Sequence, residues 1–287
     1  MAVLTSCPKR DNGIVRLFVT GIGGYLGHAL VSAASGWEVA GTVRDRPAPV
    51  GVEAHAIDVR DSAAITDVLW RVQPDAVIHT AFVQDGDELD SVNVDGSAVI
   101  ARASRAVGAR LIHVSSDAVF SHTPRRAVCE RDHVSPVTPY GISKAKAEVA
   151  VATADPEGLI VRTSLIYGGQ RLSKHERRAL DPACAFDAHE IRCPILASDL
   201  ADSLLELARM PGLSGVLHVA GADAINRLEF ARLIVAAYGR DPSTVRAADN
   251  PNARADEVTL DCTRASALLR TRLRGVRECL APGAMTH

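Results

Sequence analysis

The chain has 287 residues, 47% hydrophobic and 23% charged, enough to bury a large core as one domain or as a domain with a lobe. Its formal net charge of −2 gives no electrostatic reason to expect nucleic acid or an anionic membrane as partner. None of the six cysteines (Cys7, Cys129, Cys184, Cys193, Cys262, Cys279) stands in a C-x-x-C pair, the N-terminus carries no signal-peptide stretch, and no run reaches the roughly 20 apolar residues of a membrane span, so a cytoplasmic protein with reduced thiols is expected.

Residues 1–13 read as a tail. Val15 to Thr20 is the first strand, followed by a glycine loop and a helix with Leu26, Leu30, Val31 and Ala34 on one face. Trp37 to Val43 is a second strand and Ala54 to Ile57 a short third, and Asp61 N-caps a helix through Val72. Asp75 to Thr80 is a strand, about 90–106 a helix, and Ala109 to Ser115 a strand. A helix from Tyr140 to Ala152 precedes a strand at Leu159 to Thr163. Residues 168–190 are polar and show no clear period. Asp199 to Met210 is helical, Gly215 to Ala220 strand-like and Leu228 to Tyr238 helical. A polar loop from Asp241 to Asp256 leads to a strand at Val258 to Cys262 and a last helix from Thr263, with 282–287 a second tail. This alternation predicts an α/β fold, a Rossmann-type doubly wound parallel sheet over 14–164, to which 190–220 returns, with a small C-terminal α/β lobe built from 165–189 and 221–281.

Three stretches carry chemistry. The loop after the first strand reads G-x-x-G-x-x-G at Gly21, Gly24 and Gly27, with Gly23, Tyr25 and Leu26 between them. Glycines let the backbone approach a pyrophosphate, whose charge then meets amides at a helix N-terminus. The end of the second strand selects the dinucleotide, because an acid there favours NAD and an arginine accepts a 2′-phosphate. Arg44 occupies that region with Asp45 behind it, which favours NADP(H) and leaves NAD(H) as the alternative. Tyr140 and Lys144 are four residues apart and share a helix face. An ammonium and an oxidised nicotinamide nearby would lower the phenol's pKa from its usual value of about 10. Ser116, at the end of a neighbouring strand, can hydrogen-bond the same substrate oxygen. Y-x-x-x-K recurs by chance, so its weight comes from the glycine loop and the strand-end serine. The histidines His113, His122, His133, His175 and His189 have no regular ligand spacing, and no metal site is expected.

At these residues the chain resembles the extended short-chain dehydrogenase/reductase superfamily, and more closely its dTDP-4-dehydrorhamnose reductase branch. The stretches that carry the resemblance include Val19 to Gly27, Pro74 to His79, Val114 to Phe120, Pro139 to Lys144, Val161 to Gly168 and Ser198 to Ala201. The resemblance implies that Ser116, Tyr140 and Lys144 are catalytic. It implies cofactor contacts at Asp58 and Val59 (adenine), at Thr80 and Ala81 (the turn after the fourth strand), at Thr163, Ser164 and Leu165 (nicotinamide), and at Tyr140 and Lys144. The activity it implies is reduction of a 4-keto sugar that carries a nucleotide, or of a related ketone, with Tyr140 as general acid. Alternatives are an epimerase or dehydratase that retains NAD, and a non-catalytic dinucleotide-binding regulatory subunit. The helices at about 90–106 and 140–152 could form a homodimer interface of the kind common in the superfamily. Two departures touch the substrate side. Gly169 to Glu176 is charged and unlike the branch's usual substrate helix, and Phe120-Ser121-His122 lacks the acidic-glycine continuation. Arg171, Lys174 and Arg178 could meet a diphosphate, although a solvated charged loop is the simpler account of them.

Overall fold

The computed structural model describes residues 15–121, 126–248 and 257–281. Both expected tails, Cys7, His122 and the end of the expected polar loop (249–256) lie outside the described residues.

Seven parallel strands form the central sheet. They are β1 (Arg16–Thr20), β2 (Glu38–Val43), β3 (Glu53–Ala56), β4 (Ala76–His79), β5 (Arg110–Ser116), β6 (Leu159–Thr163) and β11 (Gly215–His218), in the order β11-β6-β5-β4-β1-β2-β3. The middle strands are almost wholly buried, which their apolar runs require once helices cover both faces. One face packs on α1 (Tyr25–Ala33) and α6 (Ala197–Ala208), with Leu26 and Leu30 meeting Leu200, Leu204 and Leu207. The other packs on α2 (Ser62–Val72), α3 (Gly96–Ala106) and α4 (Pro139–Ala154), through Ile65, Leu69, Val99, Ile100 and Val151. The helix starts follow from local chemistry. Asp61 accepts from the Ala64 amide at the head of α2, and Thr138 accepts from the Gly141 amide at the head of α4, where Pro139 pre-sets the first turn.

Past β6 the elements shorten: β7 (Ile166–Tyr167), α5 (Lys174–Leu180), β8 (Ala185–Asp187), β9 (Ile191–Arg192), β10 (Ile195–Leu196), β12 (Ile225–Asn226), α7 (Arg227–Ala237), β13 (Arg246–Ala248), α8 (Thr263–Leu268) and α9 (Val276–Cys279). A second core of Tyr167, Phe186, Phe230, Ile234 and Val276 joins several of them. Three expectations are corrected. Residues 168–190 contain α5 and β8, too short for a hydrophobic period to show, although Ser173 and Glu176 form a capping box. Val258–Cys262 is not a strand, because only the isolated bridges Val128↔Leu260 and Ile191↔Glu257 form there. The helix expected over 90–106 opens with a π-helical turn at Ser91–Asp95.

β1 separates β4 on one side from β2 on the other, so the strand order reverses beside it. The carboxyl ends of β1, β4, β5 and β6 bring Thr20, His79, Ser116 and Thr163 to one edge of the sheet, where a doubly wound fold opens a crevice.

Candidate active site

The glycine loop is held tightly. Gly21 has φ +69°, and a Cβ there would stand 3.1 Å from the Ala81 Cα. A Cβ on Gly23 would collide with the Arg46 carbonyl oxygen. Gly24 is the N-cap of α1 and offers no side chain to its first-turn amides, which are left to an anion. The Thr20 hydroxyl oxygen accepts from the amides of Thr80 (3.1 Å) and Ala81 (3.2 Å), while the Thr80 hydroxyl donates to the Thr20 carbonyl (2.7 Å). With those amides occupying its acceptor side, the Thr20 hydroxyl donates to His79 Nδ1 at 2.6 Å. His79 Nε2 then carries the ring proton toward Ser97 Oγ at 2.9 Å. Burial, aided by the charge of Lys144, pushes the His79 pKa down to about 3, so this ring is neutral.

At the far end of the loop, Arg44 pairs with Asp45 at 2.8 Å and lies 3.8 Å from Glu88. Asp58 receives two nitrogens of Arg60, at 2.6 and 3.0 Å, and Arg60 also reaches Glu88 at 2.7 Å. That bonding holds the Asp58 carboxyl below its ordinary range. Val59 is buried against Gly96.

At the catalytic end, β5 and α4 bring Ser116, Tyr140 and Lys144 together. The Ser116 hydroxyl lies near enough to the Tyr140 phenol to act on its pKa. Ser116 Oγ also donates to Asp117 Oδ1 (3.2 Å) and accepts from the Ala118 amide (3.2 Å). Gly141 allows this approach, since a Cβ there would collide with the Ala118 carbonyl oxygen. Phe82 packs against the Tyr140 ring at 5.7 Å. Lys144 is only 3% exposed and donates to the Val114 carbonyl at 2.8 Å, with His113 Nε2 at 3.3 Å. Burial lowers its pKa to about 8, and Glu148 opposes that shift. The expectation that Lys144 would make Tyr140 acidic is corrected here. Burial dominates and raises the phenol's pKa, the Asp117 charge adds to the rise, and the Ser116 hydroxyl opposes it. The phenol therefore carries its proton at neutral pH.

Behind these groups Glu148 sits one turn beyond Lys144 on the same face of α4. It accepts from Ser115 Oγ at 2.6 Å and from both ends of the Arg162 guanidinium at 2.9 and 2.7 Å. Arg162 also lies over the Phe120 ring at 5.0 Å. This buried pair fixes α4, and with it Tyr140 and Lys144, against β5 and β6.

At the end of β6, the Thr163 hydroxyl is buried without a hydrogen-bond partner, aligned with Ser116 across the β5–β6 pair. Ser164 turns away to donate to Asp117 Oδ2 at 2.6 Å, and the Leu165 carbonyl accepts from the Ile195 amide at 2.8 Å. Tyr25 reaches the lobe, where its hydroxyl accepts from the Gly169 amide at 2.7 Å and lies 3.4 Å from Glu176. Leu26 is buried in the core. The bare amides, the close-packed glycines and the free Thr163 hydroxyl together fit a dinucleotide.

The segment read as a solvated loop is attached at several points. Lys174 donates to Gln84 at 2.6 Å, Arg178 covers the Phe186 ring at 5.5 Å, and Arg171 donates to the Gly23 carbonyl at 3.2 Å. Arg227, 8% exposed, faces His175 Nδ1 at 3.4 Å and has no carboxylate within ion-pair distance among the described residues. Burial, with the neighbouring cations Arg227, Lys174 and Arg178, drives the His175 pKa well down. Asp117, Glu148, Arg227 and Phe82 were missed from the sequence. Glu148 left one signal, an acid four residues beyond Lys144 on the inner face of an otherwise small-residue helix. Among the described residues no helix is long and apolar enough to cross a membrane, and no cluster of His, Cys, Asp and Glu could hold a metal ion.

Comparison with known proteins gives a consistent picture. Residues 15–284 match the family described as RmlD substrate binding domain. A dTDP-4-dehydrorhamnose reductase of Mycolicibacterium smegmatis is 30% identical over 92% of this chain and 84% of its own length. The methionine adenosyltransferase 2 subunit beta of Bos taurus is 29% identical over 93% of this chain and 87% of its own. Among solved structures, a dTDP-4-dehydrorhamnose reductase of Bacillus anthracis in complex with NADP superposes with a TM-score of 0.80 at 22% identity, covering 94% of this chain and 98% of that one.

Proposed function

The chain belongs to the RmlD substrate binding domain family, and on that premise we propose that it is an NADPH-dependent reductase that turns a carbonyl into an alcohol. The substrate is a keto group on a nucleotide-activated deoxysugar or a related polyhydroxy ketone. The observation that carries this reading is the placement of Ser116 at the end of β5 beside Tyr140 at the head of α4, with the buried ammonium of Lys144 one turn along the same helix. The substrate class draws on the named activity of the mycobacterial relative. Lys174, Arg178 and Arg227 gather near His175 and lower its pKa, and this concentration of cations supports an anionic substrate.

The nicotinamide, when bound, supplies the hydride to the carbonyl carbon. The chain's own residues handle the oxygen. Ser116 turns its single hydroxyl proton from Asp117 to the carbonyl oxygen and orients it. Tyr140, protonated because burial raises its pKa, gives its proton to that oxygen as negative charge develops. The phenolate left behind is stabilised as the Ser116 hydroxyl turns its proton to it, and the ammonium of Lys144 binds the nicotinamide ribose. Asp117 holds Ser116 in place and disfavours premature loss of the phenol proton. Glu148 keeps Lys144 charged by raising a pKa that burial lowers. Thr163 offers its free hydroxyl to the nicotinamide edge. Arg44 meets the 2′-phosphate and exchanges an exposed pair with Asp45 to do so, which costs little.

A second reading is a non-catalytic regulatory subunit that binds a dinucleotide, and the similarity to a bovine protein named as a subunit supports it. A panel of dTDP-, UDP- and GDP-keto-sugars and free ketones, scored by NADPH oxidation, separates the two. Turnover with a keto-sugar that is abolished by Tyr140→Phe supports the reductase. NADPH binding with no turnover on any member favours the regulatory subunit.

A further inference from the structure

The segment between β7 and α5 crosses back over the glycine loop. Gly169 donates its amide to the Tyr25 hydroxyl at 2.7 Å and lies so close that a Cβ would stand 3.0 Å from that ring. Glu176 closes the same contact from α5, 3.4 Å from the Tyr25 hydroxyl. Between these anchors, Arg171 is exposed and reaches the loop itself, donating from Nη2 to the Gly23 carbonyl at 3.2 Å. Among the described residues it has no carboxylate within 4.0 Å, whereas Arg44, at the other end of the cofactor loop, is paired with Asp45. A guanidinium has five N–H donors, and one carbonyl uses only part of them. The charge is felt at the start of α1, where Arg171 joins burial in lowering the pKa of His28. A cation with no carboxylate within 4.0 Å among the described residues thus stands at the glycine loop, beside the helix start whose N-cap offers no side chain.

We propose that Arg171 is a cofactor-binding residue, supplied by the lobe, whose guanidinium donates to the pyrophosphate of the dinucleotide seated on the glycine loop. The proposal rests on the dinucleotide reading above and goes beyond it by giving the lobe a direct hold on the cofactor. The pyrophosphate is common to NADPH and NADH, so Arg171 acts on both alike. Arg44, which meets the 2′-phosphate, acts on NADPH alone.

The test is a fluorescence titration of the full-length chain with NADPH and with NADH, in wild type, Arg171→Ala, Arg171→Lys and Arg44→Ala. Arg171→Ala is expected to weaken both cofactors by the same factor, about tenfold, as loss of a charge-assisted hydrogen bond does. Arg171→Lys is expected to recover part of that loss. Because Arg171 is exposed, the variants are expected to keep the wild-type melting temperature, which shows that the loss is not one of folding. Unchanged affinity for both cofactors in Arg171→Ala overturns the proposal and leaves the dinucleotide reading intact. A loss confined to NADPH also overturns it, because the contact would then be with the 2′-phosphate. If wild type binds neither cofactor, the dinucleotide reading falls, and this proposal falls with it.

Discussion

The sheet edge and the segment from β7 through α5 hold their charges differently. At the sheet edge, charges are buried and answered: Glu148 binds Arg162 from both ends, Lys144 is anchored on the Val114 carbonyl, and His79 is kept neutral between two hydroxyls. In that segment, Arg171, Lys174 and Arg178 meet a carbonyl, an amide and a ring, while ion pairs such as Arg272–Glu278 and Arg277–Glu229 stand elsewhere in the lobe. A charge-balanced region keeps a fixed geometry, as proton transfer requires. A region with surplus cation is receptive to an anion that the protein does not itself provide.

The comparison can be broken most severely at the sheet edge. Tyr140→Phe removes the proton donor and is expected to lower turnover by about 10²- to 10⁴-fold while leaving NADPH affinity unchanged, read by NADPH oxidation beside a binding titration. A parallel loss of affinity would mean that the phenol serves binding rather than proton transfer.

Glu148→Ala leaves the buried Arg162 without its carboxylate and is expected to cost about 3–5 kcal/mol of stability by urea denaturation. Arg272, which makes an exposed pair with Glu278, provides the contrast, since Arg272→Ala is expected to cost about 0–1 kcal/mol.

The pH dependence sharpens the role of Lys144. Its pKa is lowered to about 8, so rising pH removes the ammonium as it passes that value, and kcat/KM is expected to fall above about pH 8. Glu148 raises that pKa, so Glu148→Gln is expected to move the basic limb toward lower pH. A limb that stays in place would remove Lys144 as its origin.

The smallest effect belongs to the exposed end of the cofactor loop. Arg44→Ala is expected to reduce the preference for NADPH over NADH by about fivefold, as loss of a charge-assisted contact at a half-exposed site does. Equal cofactor affinities in wild type would leave Arg44 as a surface residue paired with Asp45.

The sheet edge was far more legible than the lobe, for a physical reason. Parallel strands buried on both faces must be apolar runs, and a glycine loop leaves its mark because no other residue fits between Ala81, Arg46 and Ile22. The shared helix face of Tyr140 and Lys144 and the strand-end position of Ser116 were readable in the spacing, while their catalytic roles came from the family resemblance. The lobe's strands are two or three residues long, too short for any period, and its longest charged stretch conceals a seven-residue helix. The direction of the Tyr140 pKa shift was also beyond reach, because spacing reveals the neighbouring lysine but not how deeply the phenol is packed. Asp117 and Glu148 were in plain view as residues, and only the fold shows that one holds Ser116 and the other Arg162.

Following isotope from NADPH deuterated at the nicotinamide C4 into product, by mass spectrometry during turnover of a keto-sugar, tests the central claim most directly. The expected result is one deuterium on the carbinol carbon of the product and one NADPH oxidised per product formed. A product that forms without deuterium, while the cofactor remains reduced, would contradict it.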